Sequence, residues 1–355
     1  MSLLKRFLFL ILLAVSATTF AEETKSTQEI LAEEYQSQET PFWEPQKSDQ
    51  LKVKTGFSVP RYSVEFDSPN KTKAKFEPNA NSKVFLNLGY RNLSATASTT
   101  QAQSHEDEST KGSSDGTDFQ FRLYGKRTYE FFYQSYHGYY LDNSAELDPA
   151  YVNTDKKILY PHLKTQNYGM NFFWNLDDEE FSFAVAFDQA GHQRKNALGW
   201  SVFGHASQSK ITNGNQSLIP ASAAPTFGSL ADITDINRFT LAGGAGFGAI
   251  LIFKEKYYAT GLLALGLGYQ DAQFKSTDGG QENKKDLGTY STLRMGAGYN
   301  GQKHVVGLQV LAERVGSNVG DGEIGGTLAE LSLAYSYRFD SVSLPPLDVI
   351  SSWLD

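Results

Sequence analysis

Between Thr117 and Asp142 the chain reads TDFQFRLYGKRTYEFFYQSYHGYYLD, and its residues sort by parity. Phe119, Phe121 and Leu123 fall on one face of an extended chain, and Gln120, Arg122 and Tyr124 on the other. Beyond a turn at Gly125-Lys126-Arg127, Tyr129, Phe131 and Tyr133 continue the apolar set, while Glu130 and Gln134 continue the polar one. Side chains of a strand alternate with period two, so this stretch is a hairpin with one aromatic face and one charged face. A three-residue turn pairing Tyr124 with Thr128 sets Arg122 opposite Glu130. Water-soluble sandwiches also alternate, but their apolar strips are rarely so aromatic. An aromatic stripe backed by charge is what a transmembrane barrel requires, with lipid outside and a polar lumen inside. The expected fold class is therefore all-β, an antiparallel transmembrane β-barrel.

Composition agrees with this reading. The chain carries 24 Phe and 19 Tyr, yet its mean hydropathy is −0.40. Barrels reconcile the two because each strand hides only alternate residues in lipid. Downstream of the first residues there is no run of 18 apolar residues, so helical spans are not expected. The start itself, Lys5 and Arg6 followed by the apolar run Phe7 to Val15 and by Thr19-Phe20-Ala21, reads as a cleaved signal peptide over residues 1–21. With 0 Cys there is no lipoprotein anchor, disulfide framework or thiol chemistry. Taking Lys5 and Arg6 from 32 basic residues leaves 30 against 40 acidic, a charge of −10 that argues against a nucleic-acid partner.

Residues 22–81 read as a periplasmic leader, with a short helix over Thr27 to Gln36 and punctuation by Pro41, Pro45, Pro60, Pro69 and Pro78. The barrel is expected over residues 82–339 and a tail over 340–355. Outward stripes follow in order: Val84 to Tyr90, the hairpin, Tyr168 to Trp174, Phe181 to Phe187, Leu198 to Val202, Phe239 to Leu251, Leu263 to Tyr269, Leu293 to Tyr299, Val306 to Val310 and Leu331 to Phe339. Tight turns are expected at 125–127, 177–180, 254–256 and at Asn300-Gly301, and long loops at 98–116, 142–164, 273–286 and 315–326. These stripes give eleven strands, whereas single-chain bacterial barrels have even numbers. A weak strand around Asn215 to Ala221 restores the parity and gives about twelve, within a range of about ten to fourteen. The rival reading sends that segment through the lumen as a plug.

Several stretches resemble a known family. YGKRTYEFFYQSYHGYYL (Tyr124 to Leu141), NYGMNFFWNLDDEEFSFAVAFDQ (Asn167 to Gln189), the turn His192 to Asn196 and LALGLGYQ (Leu263 to Gln270) are similar to motifs of the outer-membrane barrel family catalogued as domain of unknown function 4421. The resemblance spans roughly residues 80 to 339, departs from the family pattern at Asn196, and adds a tail. It implies a Gram-negative outer-membrane barrel and no established activity, so no catalytic residue carries over.

Parity also picks the residues that face the lumen: Arg91, Arg122, Glu130, Asp188, Arg294, Glu313, Glu330 and Arg338. Buried charges pair with one another or with water. The functional alternative is a charged eyelet that sorts solutes, and its mixed signs argue for no strong ion preference. His205 and Ser207, two apart on one strand, share a face, and an imidazole there can activate the hydroxyl. Outer-membrane lipid hydrolases use such a pair facing lipid, whereas parity turns this one inward. His105-Glu106-Asp107-Glu108 lacks the spacing of a calcium loop, and Gly243, Gly244, Gly246 and Gly248 lack the lysine of a phosphate loop. No cofactor or metal is expected. The last strand ends at Phe339 with alternate aromatics, resembling the signature read by the barrel assembly machinery; outer-membrane lipid and lipopolysaccharide are the other expected partners. The expectation is a narrow channel or small-solute transporter, then a structural or surface-interaction barrel, then a lipid hydrolase.

Overall fold

Alternating strands of this length bury their polar faces only if the sheet closes on itself, and it does. The computed structural model describes residues 41–319 and 322–347. The signal peptide, the helix over Thr27 to Gln36 and the tail residues Val349, Ile350, Trp353 and Leu354 lie outside the described residues. The strands begin with β1 (Trp43–Pro45), β2 (Leu51–Asp67), β3 (Lys73–Glu77), β4 (Lys83–Tyr90), β5 (Leu93–Thr100), β6 (Asp115–Leu123), β7 (Arg127–Leu141) and β8 (Ile158–Asn175). They continue with β9 (Gly191–Gln193), β10 (Ala197–Thr212), β11 (Ile233–Phe253), β12 (Tyr257–Ser276), β13 (Gln281–Asn300), β14 (His304–Val319) and β15 (Gly322–Phe339). A helix α1 (His105–Lys111) caps the loop between β5 and β6, with Ser104 accepting from the Asp107 amide.

Twelve of these strands form a closed antiparallel barrel. Its seam joins the first to the last, β2 to β15, in register from Leu51↔Phe339 to Asp67↔Glu323. The wall is uneven. β4, β5 and β6 have 8, 8 and 9 residues, whereas β10 to β15 have 16 to 21. Above the short trio, β3 pairs with β2 on one side and with β7 on the other. Among the described residues the ring thus runs through twelve strands at the short-turn end and ten at the long-loop end. Narrowing the ring brings inward side chains of opposite walls together, and that end packs solid.

The outer face is apolar. Phe57, Leu265 and Leu267 are 60%, 57% and 74% exposed, and Phe119, Phe131, Trp200, Leu241 and Leu333 join them in one belt. At ~25 cal/mol per Å² such a surface is costly in water, and a lipid acyl layer removes the cost. The inner face buries Lys52, Lys54, Asn87, Glu130, Asn171, Thr292 and Arg294.

The strand count matches the expectation, but its membership does not. β2 lies inside the segment taken for a leader, so the barrel starts at Leu51 rather than at 82. Pro60 hid it: a proline lacks the ladder donor, which demotes a strand read from sequence. β5 has no counterpart among the expected strands, and its last residues fall in the loop expected at 98–116, because its outward residues Ala95 and Ala97 are small. Conversely, 181–188 is no strand. Phe181, Phe183 and Val185 are buried inside the barrel instead of facing lipid, and Ala184–Asp188 coils into one π-helical turn. Nor is Asn215 to Ala221 a strand; residues 213–232 fold over the long-loop end with an α-helical turn at Ala224–Phe227 followed by a 3-10 turn at Gly228–Leu230. The loops expected at 273–286 and 315–326 are short, because β12 to β15 rise well past the lipid stripe. The Asn300-Gly301 turn is wider than two residues, since Asn300 pairs with Val305.

Candidate functional site

The lumen is filled in three layers. At the long-loop end the inward faces of the ten-stranded ring meet in an apolar core. Phe76 packs edge-on against Phe66 at 5.6 Å and Tyr160 at 5.0 Å, and Tyr62 stacks on Tyr136 at 5.3 Å. Leu218, Ile219, Phe227 and Leu230 from the loop above complete it.

The middle layer is ionic. Lys83 pairs with both Asp118 and Glu330, and the Tyr136 hydroxyl donates to Asp118 at 3.0 Å. Arg294 donates two bonds of 2.6 Å to Glu130, reaches Glu313 at 3.8 Å, and lies 5.3 Å from the Phe173 ring centre. Arg122 Nε adds a contact of 3.3 Å to Glu130, its cross-strand partner as expected. Two-point guanidinium–carboxylate contact is the strong form of this interaction. A cavity of about 130 Å³ remains here, lined by Lys54, Lys83, Asp118, Arg122, Asp188 and Glu330 among others; a water needs roughly 10–15 Å³.

The third layer is a plug at the short-turn end, residues 177–193. Its Phe181 ring sits against Gly199 and Gly248, which face one another on β10 and β11; a Cβ at Gly248 would lie 2.7 Å from that ring. Phe183 packs on Phe173 at 5.2 Å. Asp188 is held by Lys54 at 2.7 Å and Lys52 at 2.9 Å, and its backbone carbonyl also accepts from Lys52. Gln309 donates to the Phe187 carbonyl at 2.9 Å, and Asn300 to that of Gly191 at 2.9 Å. Arg338 donates to the Gln189 carbonyl and to Asn300, at 2.6 and 2.7 Å. At the plug's end, β9 pairs with β1. There the His192 imidazole is pushed down to about 4 by burial and by the Arg338 and Arg194 guanidiniums. The bonded Arg194 side chain holds the Glu44 carboxyl below its ordinary value.

Of the eight residues expected inside, seven are there, and Asp188 arrives on the plug rather than on a strand. Arg91 does not face the lumen. It sits at the β4–β5 turn with φ 51°, donating to the Ser48 carbonyl and lying over the Tyr90 ring. Lys52, Lys54, Lys83 and Asp118 were missed. The first two carry an evident signal, Lys52-Lys54-Gly56-Ser58 alternating with Val53-Thr55-Phe57-Val59.

His205 and Ser207 face inward as parity demands. His205 Nδ1 lies 2.7 Å from Asn171 Oδ1, and Nε2 2.8 Å from Ser207 Oγ. With the amide so oriented, Nδ1 donates and Nε2 accepts from the hydroxyl. The line has the form of a base-activated hydroxyl. However, both residues are buried, and the His205 ring stacks 4.1 Å from Tyr290.

Residues 40–339 match the family described as "Domain of unknown function (DUF4421)". No curated protein matches the chain. Among solved structures it is similar to the outer membrane protease OmpT from Escherichia coli, with 9% identity, coverage of 85% of this chain and 99% of that one, and a TM-score of 0.36. It is also similar to the COG4313 outer membrane channel from Pseudomonas putida F1, with 13% identity, coverage of 84% and 98%, and a TM-score of 0.32. The toluene transporter TodX of P. putida gives 8% identity, coverage of 84% and 92%, and a TM-score of 0.28. At such values the likeness carries nothing about activity.

Proposed function

Because the chain belongs to the DUF4421 family, whose description supplies no activity, we propose a function from the barrel itself: an outer-membrane protein that is closed to free diffusion at rest and works from its short-turn end. The observation that carries this is the filling of the lumen from both ends, by the apolar core around Phe66, Phe76 and Tyr136 and by the plug around Phe181 and Asp188. The apolar belt supports insertion in a Gram-negative outer membrane. Export by residues 1–21, assembly through the strand ending at Phe339, and contact with lipid and lipopolysaccharide complete the reading.

A gated small-solute channel is the second reading. What favours it is the way the plug is held, by side chains reaching from the wall rather than by pairing into the barrel ladder. It needs the apolar core to part as well, which exposes side chains that each stabilise the core by roughly 1.5–3 kcal/mol. A lipid hydrolase has support only in the line Asn171–His205–Ser207, and a substrate reaches that hydroxyl only by displacing its packing.

Planar-bilayer recording separates the first two readings. Purified protein, shown to be folded by its heat-modifiable migration, should insert without steady single-channel steps. Steady steps from the unaltered chain would replace the closed reading with the channel.

A further inference from the structure

We propose that Lys52 and Lys54 form an anion-binding site at the short-turn end of the lumen, a site that the chain's own Asp188 occupies in this structure. The ligand class is a small carboxylate or phosphate. The proposal rests on the plug being displaceable and names what the vacated site would take.

Three observations carry it. First, the two ammonium groups belong to the wall and the carboxylate does not. Lys52 and Lys54 stand two apart on the inward face of β2, whose backbone is paired to β15 and β4. Asp188 ends a π-helical turn that is held at Phe187, Gln189 and Gly191 by side chains from β13, β14 and β15. Second, the geometry is that of a bound ligand. Each oxygen of one carboxylate faces one lysine, at 2.7 and 2.9 Å, with the three side chains exposed by at most 6%. Charge is not balanced by the plug alone, since two cations face one anion. Third, there is room beside the site: Lys54 and Asp188 both line the 130 Å³ cavity, so the rest of a small solute has space behind its acidic group.

Withdrawing Asp188 leaves two buried ammonium groups without a carboxylate, a state that costs several kilocalories unless water or an anion takes its place. A free anion that binds there competes with the plug for the same two donors.

The test uses full-length protein in detergent and inorganic phosphate as the probe, with acetate titrated in parallel to separate phosphate from carboxylate chemistry. Asp188→Asn keeps the shape and removes the charge. Calorimetric titration should give binding to Asp188→Asn at least about ten-fold tighter than to the unaltered chain, and Lys52→Met with Lys54→Met on that background should abolish it. Equal affinity in Asp188→Asn and the unaltered chain overturns the proposal. If Asp188→Asn lacks the heat-modifiable band, the unaltered chain decides. Chymotrypsin cleavage after the buried Phe181 and Phe183 should rise with phosphate there and not in Lys54→Met, and an unchanged rate overturns the proposal. Tight phosphate binding to Asp188→Asn with Phe181 and Phe183 still protected also overturns the proposal, because the lysines then take an anion without the plug leaving them.

Discussion

Arg294 and Glu130 meet through two bonds of 2.6 Å inside the lumen, with Arg122 and Glu313 as their next neighbours. Removing one member of such a pair leaves a buried charge uncompensated, whereas replacing both is often near neutral. Arg294→Met should therefore cost about 3–5 kcal/mol, read as a lower temperature for loss of the folded, heat-modifiable band. Arg294→Met with Glu130→Gln should recover much of that cost; an additive loss would mean the pair is not coupled. His205 is a different case, because it links two neutral groups. His205→Ala leaves Asn171 and Ser207 each one bond short, at roughly 1–3 kcal/mol, with no change in release of lipid esters. Loss of such a release, or labelling of Ser207 by a fluorophosphonate, would restore the hydrolase reading.

The plug is the element on which the closed state turns. Gly199 and Gly248 leave the notch that Phe181 fills, so Gly248→Leu should unseat the ring, with an overpacking cost of about 1–3 kcal/mol. Cleavage after Phe181 and Phe183 should then become faster with the wall intact; unaltered protection would mean the notch does not position the plug. Protonation bears on the plug's far end. His192 titrates at about 4 while seated, because of burial and the Arg338 and Arg194 charges, with Glu44 opposing them; its ordinary value is about 6.5. A displaced His192 therefore takes up the proton more readily. The seated plug should be equally protected above pH about 6.5, lose protection as pH falls toward 4, and change little below that. A rise in protection on acidification would contradict this. Element by element, the sequence discloses what lipid imposes and hides what the interior decides. β7, β10 and β12 were legible because aromatic and leucine stripes face outward. The stripe Phe181, Phe183, Val185 and Phe187 has the same alternation, yet it is the interior that buries it. Period two reports an apolar face without saying which apolar medium it meets. β5, with alanines outward, and β2, with Pro60 in its run, lacked the stripe or carried a breaker, and with β2 went both lysines of the anion site.

At the scale of the whole molecule, twelve strands enclose a lumen that narrows to ten, packs solid at one end and takes in its own chain at the other. The claim beneath every other is that parity sorts side chains between lipid and interior. A chain with 0 Cys allows that to be tested one residue at a time. Single cysteines placed successively from Ala264 to Gly268 on β12, spin-labelled in lipid vesicles, can be probed for collisions with oxygen, which partitions into acyl chains. The account predicts high oxygen accessibility at 265 and 267, which carry Leu265 and Leu267, and low accessibility at 264, 266 and 268. A flat profile, or water-like accessibility at 265 and 267, would contradict it.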